Sequence, residues 1–227
     1  MSTILSINVS PIVTVERDGK SVRTGIFKKP VLMPTMIGEL GLAGDAQADK
    51  RHHGGPHMAV YFYPAQHYTA FRKELAKDLP YGTFGENLTI TELDEESIHI
   101  GDELEIGPPG GAGGAGGAAV RMVVTSPRMP CSTLAMAMES TQFVKQFLES
   151  GRLGWYGRVL RTGVVRTDDE IRVVHRDPAK VSILSIARLR KNAKASESEL
   201  RNAAKAASLH PEWREMITTK LEALARG

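Results

Sequence analysis

Val120-Arg121-Met122-Val123-Val124-Thr125-Ser126-Pro127-Arg128-Met129-Pro130-Cys131-Ser132-Thr133-Leu134 is an apolar run that breaks on two prolines and ends on the chain's single cysteine. Val120 to Val124 reads as a strand, and Ser132 or Thr133 is placed to cap a helix starting near Leu134. Cys131 therefore sits at a strand-to-helix turn. Pro127 and Pro130 restrict the backbone on both sides of Arg128, stiffening the loop and holding the guanidinium near the sulfur. A neighbouring Arg and a helix N-terminus both favour thiolate over thiol. Such a thiolate serves as nucleophile, redox centre or ligand for a soft metal. The alternative is a small buried apolar residue.

The rest of the chain bounds that choice. With 227 residues there is enough chain for a full core, in one large domain or one domain with a small appendage. A net charge of +3 at a sequence pI near 9.0 gives no ground for a nucleic-acid partner, while anionic small ligands remain compatible. One cysteine makes no internal disulfide, Met1 to Leu5 lacks a secretory layout, and no apolar run is long enough to span a bilayer. The expectation is a cytoplasmic protein without a membrane partner.

Working outward, Ile4 to Val15 suits a first strand ending at Asp18-Gly19, followed by Lys28-Lys29, either solvated loop lysines or an anion contact. Gly38 to His57 is too rich in glycine and charge for a regular element and reads as a long surface loop. Its histidines and acids admit a zinc site, but no further pair at ligand spacing follows. His53-Gly54-Gly55 suits a phosphate or oxo group better, because adjacent glycines let backbone N–H groups approach an oxyanion. Val60 to Tyr63 reads as a buried strand. Pro64 opens a helix with Tyr68, Phe71 and Leu75 on one face. Asn87 stands at the exit of the tight turn at Gly85, where an Asn usually satisfies its own backbone.

Gly111, Gly113 and Gly116 spell G-x-G-x-x-G, yet the chain then enters a strand where the dinucleotide fingerprint requires a helix. A bound nicotinamide is excluded on that ground. Gly110 to Gly117 reads instead as a mobile loop tip. Gln142 to Ser150 is helical with Gly151 as its C-terminal cap. Trp155, Tyr156 and Arg158 are core and rim, or one wall of a flat-ligand pocket. Past Asp177-Pro178 the pattern is helical to the end, giving a division into a β-rich domain over 1–177 and a three-helix domain over 178–227. A unit that small is expected to pack on the main domain.

Gly44-Asp45-Ala46-Gln47-Ala48-Asp49, His53-Gly54-Gly55-Pro56, Phe84-Gly85-Glu86-Asn87-Leu88, Pro127-Arg128-Met129-Pro130-Cys131 and Gly154-Trp155-Tyr156 occur in an order that resembles the MOSC domain family, the molybdenum cofactor sulfurase C-terminal domain proteins. The chain is similar in particular to its YiiM-type branch with a C-terminal three-helix extension. The resemblance implies an α+β, β-rich fold with a closed β-barrel, peripheral helices and a small three-helix unit. It implies a molybdopterin cofactor whose molybdenum takes the thiolate of Cys131, and reduction of N-hydroxylated compounds of the hydroxylaminopurine type with electrons from a separate reductase. Arg128 would offset anionic oxo groups. His53, Gly54 and Gly55 would hold phosphate or oxo groups, and Asn87 and Arg158 would add cofactor contacts. The alternative is a module that delivers cofactor or sulfur without turnover. A plain cysteine nucleophile is disfavoured, since no His–acid pair stands at recognisable spacing from Cys131. One departure from the family pattern is Asp168 before Asp169, where a Gly-Asp turn is usual.

Overall fold

The computed structural model describes residues 1–17, 19–49, 54–108, 119–192 and 194–226. Alternating apolar residues along short β-branched segments leave one face of each strand to be covered, and here the sheet curls on itself to cover it. The barrel strands are β1 (Ser2–Val9), β7 (Val60–Pro64), β8 (Leu88–Ile90), β9 (Glu103–Gly107), β10 (Val120–Pro127), β11 (Trp155–Arg161) and β13 (Glu170–His175). They run in the order β13-β9-β10-β11-β7-β8-β1, and β1 closes the ring on β13 through Ser2 opposite Ile171 and Thr3 opposite Glu170. All neighbours are antiparallel except β7 and β8, where Phe62 lies opposite Leu88 in parallel. An extra strand, β4 (Lys29–Val31), adds to β1. Outside the ring, β2 (Val13–Arg17) and β3 (Lys20–Thr24) form a hairpin, and β5 (Thr35–Gly38) pairs with both β6 (Gly41–Leu42) and β12 (Gly163–Val165).

Two expectations are corrected here. The first strand is not continuous to Val15: it stops at Val9, because the Ser10 N–H turns out to the Asp45 carboxylate at 3.0 Å and Pro11 has no N–H to continue a ladder. Pro64 belongs to the end of β7 and caps α1 (Ala65–Leu75) instead of opening it. Asp168 takes the glycine's place with φ near 68°, and its N–H still reaches the Ile4 carbonyl at 2.8 Å, so the turn keeps the shape a glycine would give it.

Barrel interior and helices share one apolar cluster, which includes Ile4, Phe62, Leu104, Met122 and Trp155. It continues into α4 (Ile183–Lys191), α5 (Glu197–Ala204) and α6 (Pro211–Arg226) through Ile186, Leu189, Leu200, Trp213 and Ile217. The C-terminal helices thus pack directly on the barrel. A second cluster is aromatic: Tyr61, Tyr63, Tyr68, Phe71 and Phe84 meet Phe143 and Phe147 of α3 (Thr141–Ser150), which Ser140 caps and Gly151 ends. Among the described residues no helix is long and apolar enough to cross a membrane.

Candidate active site

The barrel delivers Cys131 at the end of β10, where Pro127 lies opposite Trp155 in the last rung of the ladder. Cys131 itself is the N-cap of α2 (Ser132–Ala137), its carbonyl accepting from the Leu134 N–H at 3.0 Å and the Ala135 N–H at 3.2 Å. The expected cap at Ser132 or Thr133 is corrected, since both residues are already helical. The sulfur forms no disulfide and is partly exposed.

Arg128 is 3% exposed. Its backbone N–H donates to the Gly154 carbonyl at 3.2 Å, and its guanidinium lies 5.8 Å from the Tyr61 ring centre and 5.3 Å from that of Phe147. One guanidinium nitrogen, Nη2, reaches the Phe84 carbonyl at 3.5 Å, while Nη1 is buried with no protein partner. An unmet donor on a buried cation is costly, and an anion in the adjacent cleft would meet it. Tyr156 stands beside both groups. Burial pushes its phenol above the usual range, the charge of Arg128 pulls it back, the charge of Cys131 adds to the rise, and hydrogen bonding from the Arg128 side chain lowers it again.

That cleft encloses about 100 Å³ and is lined by Arg23, Gly25, Lys28, Arg128, Cys131 and Tyr156, among others. Gly25 is required: a Cβ there would stand 1.9 Å from the Ala46 carbonyl oxygen, so only glycine lets the two loops meet. Lys28, which the sequence left open between solvent and anion, is buried and ion-paired with Asp45. Burial draws the ammonium below its usual range, with Asp45 opposing that shift. Asp45 also accepts from the Ser10 N–H, from Gln47 at 3.1 Å and from Asn87 at 3.0 Å. Asn87 completes the web, accepting from the Tyr61 N–H at 3.1 Å and donating toward the Asn8 carbonyl at 3.4 Å.

A wider chamber of about 330 Å³ opens on the other side of Cys131, walled by Pro127, Met129, Tyr156, Arg190, His210 and Trp213, with Glu212 also in its lining. The His210 N–H donates to the Thr125 carbonyl at 3.0 Å, and the Thr125 hydroxyl donates to the His57 carbonyl at 2.6 Å, which ties α6 to the barrel wall. The two imidazoles meet edge to face with centres 5.4 Å apart. Burial lowers the pKa of both. For His57 the charge of Arg158 adds to that, and for His210 Glu212 opposes it while His57 reinforces it.

The structure thus gathers Cys131 and Arg128 at one cleft with Lys28 and Tyr156, which the sequence left open between bland and ligand-facing roles, and adds Tyr61 and Arg23, which sequence reasoning did not place there. Asn87 is set behind the cleft with its amide committed to Asp45, Tyr61 and Asn8. Arg158 lies further along β11, beside His57, and its Nε is buried without a partner. Gly54 and Gly55 both have positive φ and lead into the turn Pro56–Met58, with Gly54 against Gln47 of the cleft wall. His53 and the run Gly110 to Gly117 lie outside the described residues. Among the described residues no group of three or more His, Cys, Asp or Glu is placed to hold a metal.

Residues 49–172 match the MOSC domain family. The sequence is 32% identical to YflK of Bacillus subtilis (strain 168), an uncharacterized protein, over 98% of this chain and 96% of that one. It is 30% identical to a protein of Gibberella moniliformis named "Reductase", over 75% of this chain but 29% of that one. The crystal structure of YiiM from Geobacillus stearothermophilus superposes with a TM-score of 0.78 at 26% identity, covering 97% of this chain and all of that one.

Proposed function

The chain belongs to the MOSC domain family, and from that premise we propose that it is an oxidoreductase that reduces N-hydroxylated compounds, holding a molybdopterin cofactor at Cys131. The observation that carries the proposal is the pairing of a partly exposed cysteine sulfur with Arg128, whose Nη1 is buried and has no partner. Arg23 and Arg128 line the cleft beside the sulfur, with Lys28 behind them ion-paired to Asp45, and a soft thiolate next to arginine cations is a donor set that suits an anionic, thiophilic metal group. When bound, that group supplies the two-electron redox chemistry.

The residues of this chain supply the rest. Cys131 anchors, Arg128 and Lys28 balance negative charge, and the Tyr61–Phe147 sandwich keeps the guanidinium from swinging out. The overall change is an N–OH compound plus two electrons and two protons giving the N–H compound and water. Electrons come from a separate reductase. The match to the Gibberella "Reductase" covers only 29% of that protein, so most of it lies beyond the matched part.

The test is turnover of 6-hydroxylaminopurine by purified, molybdopterin-loaded protein with an artificial electron donor. Multiple turnovers are expected, and none with NADH alone. Cofactor transfer to another apo-enzyme in place of turnover would establish carriage instead.

A further inference from the structure

The two cavities that meet at Cys131 differ in charge and shape. The cleft is narrow and basic. The chamber is more than three times as large, within the range of small-molecule pockets, roughly 300–1,000 Å³. Its walls mix polar and apolar surface, the apolar part coming from Pro127, Met129, Tyr156 and Trp213. Its charged groups are of both signs, Arg190 beside Asp49 and Glu212. His210 adds a directed polar edge: its Nδ1 accepts from the Glu212 N–H at 3.2 Å, which leaves the ring proton of the neutral imidazole on Nε2 as a donor. Arg190, His210, Glu212 and Trp213 all come from the C-terminal helices, beyond the segment that matches the family.

We propose that this chamber binds the uncharged, planar nitrogen heterocycle of the substrate, its edge recognised by His210 and Glu212, so that the C-terminal helices decide which N-hydroxylated compound reaches Cys131. The assignment of the bound ring as substrate rests on the reductase reading above. An anionic group belongs in the cleft, where Arg128 keeps a buried donor unmet, and a ring with hydrogen-bonding edges belongs in the chamber, where the aromatic faces of Tyr156 and Trp213 stand beside polar groups.

Trp213 makes the chamber observable in the metal-free protein. The chain has two tryptophans. Trp155 is buried in the barrel core, stacked on Phe62 at 5.9 Å, so a Trp155→Phe variant leaves Trp213 as the reporter. Titration with 6-hydroxylaminopurine should quench its fluorescence saturably. His210→Ala and Glu212→Ala should each weaken binding about tenfold, the loss of one hydrogen bond, and His210→Gln should recover most of it by restoring a donor. Equal affinity in wild type and both alanine variants would overturn the assignment, as would absent quenching in a protein that still reduces the compound once loaded. Saturable, variant-sensitive quenching without turnover in the loaded protein would support the chamber and remove the reductase reading.

Discussion

The cleft and the chamber share Cys131 and Tyr156, yet they are built in opposite ways. Every cation of the cleft whose contacts are described is fixed by a buried partner: Lys28 by Asp45, and Arg128 by two aromatic rings and the Gly154 carbonyl. The chamber is assembled from the end of β10 and the helices α4 and α6, with Arg190 and Glu212 exposed at its edge. The cleft is thus rigid and charged, as a permanently held group requires. The chamber is edged by exposed residues, Arg190 and Glu212, that can change without breaking the fold, around a wall in which Trp213 belongs to the core.

The largest effect that separates the two regions is that of Cys131→Ser. A hydroxyl is a harder and far less acidic ligand than a thiol, so bound molybdenum should fall by roughly 100-fold or more, with activity lost in parallel. Ring binding in the chamber should persist. Normal molybdenum content in the purified variant, measured by elemental analysis, would remove Cys131 as the ligand.

Next in size is Asp45→Ala. It leaves Lys28 buried without its counter-ion and the Ser10 and Asn87 donors unpaired, and breaking a buried pair costs about 3–5 kcal/mol. Denaturant unfolding should show that loss, whereas Glu212→Ala at the chamber edge should fall within about 0.5 kcal/mol of wild type. Similar stability in the two variants would dissolve the contrast between a rigid and a tolerant side.

Arg128 sharpens the cleft itself. Arg128→Lys should keep part of the activity, since it keeps the charge, and Arg128→Ala should lose most of it, since the aromatic sandwich is then empty. Alkylation of Cys131 by iodoacetamide in the metal-free protein should slow severalfold in Arg128→Ala. Unchanged alkylation would mean that the loop is only a mount for the sulfur.

How much of this was legible depended on distance along the chain. The strands could be read from the alternation through β9 and the apolar run of β10, and the closed barrel only because the order of short motifs, including Pro130-Cys131, resembles one family. Cys131 stood out through its local setting of two prolines and an arginine. Lys28 did not: its burial is decided by Asp45 and by the close approach at Gly25, and neither periodicity nor local spacing encodes such contacts. The nearest signal was Gly44-Asp45 within the motif run. Asn87 was legible as a turn residue but not as the link among β7, Asn8 and Asp45. His210 was visible only as the residue before Pro211, marking a helix start. What places it at the chamber is a tertiary bond to Thr125, and the packing of the C-terminal helices that makes this bond possible.

The smallest expected effect concerns the two histidines that join α6 to the barrel. Both have folded-state pKa values below the ordinary histidine value of about 6.5. Above that value both states are neutral and nothing is lost. As pH falls below it, the unfolded chain takes up protons that the folded chain refuses, so stability declines with acidification through the window beneath pH ~6.5. Buried Glu86 works in the opposite direction at lower pH, because burial raises its pKa and folding then favours its protonated form. The raw slope therefore mixes signs, and the informative quantity is a difference between variants. His57→Gln with His210→Gln should flatten the decline between pH 7 and 5 relative to wild type, as followed by denaturant midpoints, while leaving stability at pH 8 nearly unchanged. If the double variant declines as steeply as wild type, the imidazoles are not held neutral at the joint. The backbone bond from His210 to Thr125 would be untouched, but protonation would take away the Nδ1 lone pair that accepts from the Glu212 N–H, and with it the contact that orients the ring in the chamber.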